Sequence, residues 1–62
     1  MTRLLTAEQA AELLAVPSSW LLREARADRV PHVRLGRYVR FDPQALESWW
    51  RSRAQGPIYR EG

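Results

Sequence analysis

Arg23, Arg26, Arg29, Arg34, Arg37 and Arg40 crowd into one central stretch of the chain, opposed there only by Glu24 and Asp28. A guanidinium is always charged and presents a planar fork of donors that fits phosphate oxygens and the edge of guanine. The spacing therefore suggests an anionic partner. A solvated helix face also looks like a charge run, and the exclusive use of arginine, with no lysine at all, follows as readily from a GC-rich genome. What favours a binding role is the distribution. The net charge is +3 and the pI about 10.6, yet positions 1–22 hold one Arg against Glu8 and Glu12, and positions 41–62 hold three Arg against three acids. The surplus belongs to the middle.

Other chemistries find little to work with. There is no cysteine, which removes disulfides, thiolate metal ligands and thiol nucleophiles together, and His32 is the one histidine. Glu8 and Glu12 stand four apart and would share a helix face, but an exposed pair near a first helical turn is better explained by compensation of the helix dipole than by catalysis. At 62 residues the chain is one small domain, too small to house a substrate cavity beside its own core, so an enzyme is not expected. No cofactor or metal is implied. No apolar stretch is long enough for a signal peptide or a spanning helix, and a cytoplasmic location is the simplest expectation.

These arginines must be positioned by local elements. Thr6-Ala7-Glu8-Gln9 reads as a capping box and starts a first helix with Ala10, Leu13 and Leu14 as its apolar stripe. Ala15-Val16-Pro17 interrupts the periodicity, because proline lacks an amide donor and pushes Val16 out of the α region. A second helix is expected over Pro17 to Ala27. It turns Leu21 and Ala25 inward and Ser18, Ser19, Leu22, Arg23 and Arg26 outward. Two helices joined by about three residues form a helix-turn-helix, with the second placed to enter a groove.

From Pro31 to Phe41 the period changes to two, which argues a β-hairpin turning at Gly36. A three-residue loop, Gly36-Arg37-Tyr38, would pair Leu35 with Val39 and Val33 with Phe41, keeping one face apolar. It would also set Arg34 directly across from Arg40, a like-charge pair that an anion would relieve, and His32 across from Asp42. Asp42-Pro43 then caps a third helix running to about Arg53, with Leu46, Trp49 and Trp50 at core spacing. At least one of the two tryptophans is expected in the core rather than as a base-stacking platform. Gly56-Pro57 would stop the helix. The domain is thus expected over residues 6–53, with 1–5 a lead-in and 54–62 a flexible tail in which Ile58 and Tyr59 are the apolar residues.

Three helices and a two-stranded wing make a winged helix-turn-helix, and the sequence resembles the excisionase-type, MerR-like DNA-binding domains. The resemblance rests on the run from Leu5 to Val16, on Arg29-Val30-Pro31-His32-Val33-Arg34-Leu35-Gly36-Arg37, and on the run from Val39 to Trp49, in that order. Five positions depart from the usual pattern: Ala15 for glycine, Pro17 for serine, Ser18 and Ser19 for basic residues, and Glu24 for an apolar residue. The resemblance implies a second helix in the major groove, with Ser18, Ser19, Leu22, Arg23 and Arg26 towards the bases. It also implies a wing carrying Arg34, Arg37 and Arg40 to phosphates or the minor groove. Arg23 is the first choice for a bidentate contact to guanine.

The same resemblance implies a recombination directionality factor of a phage or integrative element. Such a protein binds and bends attachment-site DNA so that a tyrosine-type integrase can excise the element. A winged domain with only a short tail, lacking an effector domain, fits that role. The alternative is a small transcription regulator, and a third reading is a basic module for an acidic protein partner. So small a surface is expected to need several copies on adjacent sites for specificity, with the tail as a possible contact to a neighbour or to the integrase.

Overall fold

The computed structural model describes residues 3–55; the expectations for Gly56-Pro57 and for Ile58 and Tyr59 lie outside the described residues. The elements in order are α1 (Ala7–Leu14), α2 (Ser18–Arg26), β1 (Val33–Leu35), β2 (Tyr38–Arg40) and α3 (Pro43–Ser52). This is the three-helix fold with a two-stranded antiparallel hairpin expected of a winged helix-turn-helix.

The capping box at α1 is present in both directions. The Gln9 amide donates to Thr6 Oγ1 at 3.1 Å and the Thr6 amide donates to Gln9 Oε1 at 3.0 Å. The stripe that α1 buries differs from the expected one: Ala7, Ala10 and Ala11 are buried and Leu14 packs beside them, whereas Leu13 is 57% exposed. An i, i+3, i+4, i+7 stripe counted from Ala7 leaves position 13 on the flank. The three alanines also let α1 pack without bulky side chains between it and the core.

Both helix-turn junctions close by the same device. At the end of α1 the Val16 amide donates to the Ala11 carbonyl at 3.0 Å and the Ala15 amide to the Glu12 carbonyl at 3.2 Å. These are the two bonds of a Schellman motif, and Ala15 takes its left-handed position at φ 58°. At the end of α2 the Arg29 amide reaches the Glu24 carbonyl at 2.9 Å and the Asp28 amide the Ala25 carbonyl at 3.0 Å, with Asp28 at φ 61°. The three residues Ala15, Val16 and Pro17 are therefore a fixed corner. Pro17 stands at the N-cap of α2 without a side-chain cap bond.

The core joins Leu21 and Ala25 of α2 with Val30, Val39, Phe41 and Leu46 around the α1 alanines. Trp49 packs against this cluster, as do Trp20 and Leu22 on either side of Leu21. α3 starts from the Asp42 cap, whose carboxylate accepts from the Gln44 amide at 3.3 Å, with Pro43 in its first turn.

The hairpin register corrects the sequence expectation. Val33 pairs with Arg40, Arg34 with Val39 and Leu35 with Tyr38, so the loop is the two residues Gly36-Arg37. Gly36 at φ 61° supplies positive φ at the first central position, where a type II′ hairpin requires it. The expected partner of Val33, Phe41, exchanges both backbone bonds with Leu5 instead, at 2.7 and 2.9 Å. With the lead-in supplying that pairing, the hairpin does not need a uniformly apolar face. Within the two strands only Val39 is buried, and Phe41, two residues on and just past the end of β2, is buried with it. The Arg34–Arg40 like-charge pair does not form.

Candidate nucleic-acid interface

On α2 the buried Leu21 and Ala25 define the inner side. Ser19, Arg23 and Arg26 fall at i, i+4 and i+7 on the other side and are exposed. Ser18, in the first turn, is half-buried, and so is Leu22, whose side chain packs against the core from the flank. Of the five residues expected to face outward, Ser19, Arg23 and Arg26 are exposed and Ser18 and Leu22 lie at the margin of that side.

The flank carrying Leu22 meets the wing. A groove of about 230 Å³ is lined by Leu22 and Arg26 from α2, the run Arg37 to Arg40 of the hairpin, Val39 included, and Ala7 and Glu8 from the start of α1. Three arginines from two elements converge on it. Arg34 does not line the groove, although its cross-strand partner Val39 does. Arg40 is held by a bond from its guanidinium to the Val39 carbonyl at 2.9 Å. The Arg37 and Arg40 guanidinium carbons lie 5.5 and 5.3 Å from the Tyr38 ring centroid.

Arg29 behaves differently from its neighbours in sequence. Its Nε and a terminal nitrogen donate to the two carboxylate oxygens of Glu24 at 2.7 and 3.2 Å. That bond holds the Glu24 carboxyl below its ordinary range; desolvation opposes the shift, and the charges of Arg29, Arg23 and Arg53 add to it. The Arg29 guanidinium is held correspondingly higher by the same bond. Glu24 and Arg29 occupy the two positions where a Schellman motif usually places a hydrophobic contact. An ion pair replaces that contact here, which accounts for a glutamate where the resemblance leads one to expect an apolar side chain. The cationic face is correspondingly reduced.

His32 has a local role. Its Nδ1 lies 2.9 Å from the Val30 carbonyl, which can only accept, so Nδ1 carries the proton; Nε2 is 3.6 Å from Asp28 Oδ1. Asp28, rather than Asp42, is its acidic neighbour. A larger open hollow of about 630 Å³ lies between this turn and α3, lined by Asp28 to His32, Trp49 and Arg53. Its cations are already engaged, Arg29 with Glu24 and Arg53 against the Trp49 ring at 5.0 Å. The smaller groove, with its converging arginines, is therefore the better candidate site. Among the described residues no three acidic or histidine side chains gather to hold a metal ion, and no helix is long and apolar enough to cross a membrane.

Sequence reasoning did not single out Tyr38 or Glu8 for this surface. Tyr38 falls inside the loop in the three-residue register, and Glu8 is a helix-dipole residue until the wing is docked beside it. A tyrosine between two arginines in a hairpin is the one signal that bears on the first.

An exposed helix with outward serine and arginines, held at a fixed corner and flanked by an arginine-bearing wing, defines a DNA-binding helix-turn-helix protein. The chain belongs to the helix-turn-helix domain family, whose model matches residues 4–54. No curated protein and no solved structure gives a significant match.

Proposed function

We propose that the chain acts on double-stranded DNA as an excisionase. α2 enters the major groove with Ser18, Ser19, Leu22, Arg23 and Arg26, and the wing sets Arg37 and Arg40 against the adjacent backbone or minor groove. The observation that carries the DNA-binding geometry is the convergence of Arg26, Arg37 and Arg40 on one groove beside the exposed face of α2. Arg34, which does not line the groove, is not part of the surface we propose. Arg23, exposed at the centre of the outer face, makes the bidentate contact to guanine. The serines read bases permissively, so DNA shape supplies part of the selectivity.

The recombination role is supported by the order and spacing of the motifs from Leu5 to Trp49. In this reading several copies bind adjacent sites in an attachment region inside the cell, bend the DNA and help a tyrosine-type integrase assemble for excision. The test is footprinting and a bending assay on the attachment region of the host element, together with an excision assay. Protection of neighbouring sites, curvature and stimulated excision are expected. Promoter occupancy with no curvature and no effect on excision would replace this reading with that of a small transcription regulator.

A further inference from the structure

We propose that Tyr38 is a positioning residue: its ring gathers the Arg37 and Arg40 guanidinium groups, so that the wing meets a DNA backbone with two ordered forks rather than two free side chains. The inference rests on the DNA-binding reading above and adds to it a role for a residue that carries no charge. Tyr38 is 52% exposed, paired across the hairpin with Leu35, itself 50% exposed. Two large apolar side chains left in solvent at a hairpin end are not there to fill the core. One of them has a specific occupation: guanidinium carbons at 5.5 Å and 5.3 Å from its ring centroid, both within the range of a cation–π contact.

The two arginines reach the ring by different routes. Arg40 is two residues along the strand from Tyr38 and so projects from the same face of the hairpin, while Arg37 stands in the turn next to it. The two-residue register makes this possible, since it moves Tyr38 out of the loop and into the strand. Arg40 is fixed a second time by its bond to the Val39 carbonyl. All three side chains line the groove that Arg26 enters from α2. A long cation otherwise loses its rotamer freedom when it closes on a phosphate. A ring that already restricts both guanidinium groups lessens that loss, and it does so without changing how many phosphates are neutralised.

That last point separates positioning from charge. On duplex DNA, Tyr38→Leu should weaken binding about three- to fivefold on cognate and random sequences alike. The slope of log affinity against log salt should stay unchanged, because the slope counts phosphates. Tyr38→Phe keeps the ring and should bind like the parent. In an Arg37→Ala/Arg40→Ala background, Tyr38→Leu should have no further effect. In the free protein, the side-chain protons of Arg37 and Arg40 should show upfield ring-current shifts that survive in Tyr38→Phe and vanish in Tyr38→Leu. The exposure of position 38 predicts that all these variants fold, which circular dichroism checks.

Random-coil shifts on both arginines, or parental affinity in Tyr38→Leu, would overturn the proposal. So would a loss in Tyr38→Phe equal to that in Tyr38→Leu, which would mean that the hydroxyl contacts DNA directly, or a Tyr38→Leu loss that persists without the two arginines. A parent protein that fails to bind duplex DNA defeats the DNA-binding reading itself, whatever the ring-current shifts show.

Discussion

Ala15 carries a backbone conformation, φ 58° and ψ 45°, that costs an alanine about 1–2 kcal/mol through the approach of its Cβ to the following carbonyl. It is tolerated because the Schellman bonds on either side of it, Val16 to Ala11 and Ala15 to Glu12, fix the corner between α1 and α2. Glycine at this position relieves the clash but adds freedom to the unfolded chain, worth about 0.4–1 kcal/mol in the other direction. Ala15→Gly is therefore expected to stabilise the fold by about 0.5–1 kcal/mol, visible as a rise of a few degrees in the thermal midpoint with DNA affinity unchanged; a lower midpoint would refute the account. Arg23, by contrast, is exposed, and its one link to the fold is the charge it adds beside Glu24. Arg23→Ala should cost about 1–3 kcal/mol on the cognate site and clearly less on random DNA, read by titration of both duplexes. Equal losses would remove its base-reading role.

At the scale of elements, the exit from α2 is set by the fork between Glu24 and Arg29, and this gives a pH dependence with a definite sign. The Glu24 carboxyl is held below its ordinary range mainly by the Arg29 hydrogen bond. Its contribution to stability is therefore complete above the ordinary carboxylate value and is lost as pH falls through the lowered one. Hydrogen exchange at the Arg29 and Val30 amides should accelerate, relative to the intrinsic rate, as pH is lowered into that range, and Glu24→Gln should abolish the acceleration. Exchange in Glu24→Gln with the parental pH profile would assign it to another group. The elements themselves were largely legible: the Thr6 capping box, the Pro17 boundary and the Asp42-Pro43 start are local signals whose partners sit within a few residues. What the chain does not spell out is pairing at a distance. The bond of Leu5 with Phe41 cannot be inferred from alternation in the hairpin, and without it the three-residue register looks better segregated. Leu13 was misplaced for a similar reason, since small alanines hide a stripe that leucines advertise. The exposed side of α2 was legible because Leu21 and Ala25 mark its reverse, whereas the grouping of Arg37, Tyr38 and Arg40 depends on the register and was not.

For the whole molecule, the fold divides six neighbouring arginines into three sets with different surroundings. Arg29 is tied to Glu24, Arg34 does not line the groove between α2 and the wing, and Arg23, Arg26, Arg37 and Arg40 are the four in the proposed DNA surface. Each phosphate neutralised on duplex DNA contributes about −0.9 to the slope of log affinity against log salt. If Arg23 reads a base while Arg26, Arg37 and Arg40 meet phosphates, the slope should be about −3, rising in magnitude to about −4 if Arg23 also touches the backbone. Arg37→Ala and Arg40→Ala should each lower its magnitude by about one, and Arg34→Ala should leave it as it was. A loss of about one unit in Arg34→Ala would instead add Arg34 to the phosphate-contacting set and extend the contact surface beyond the groove.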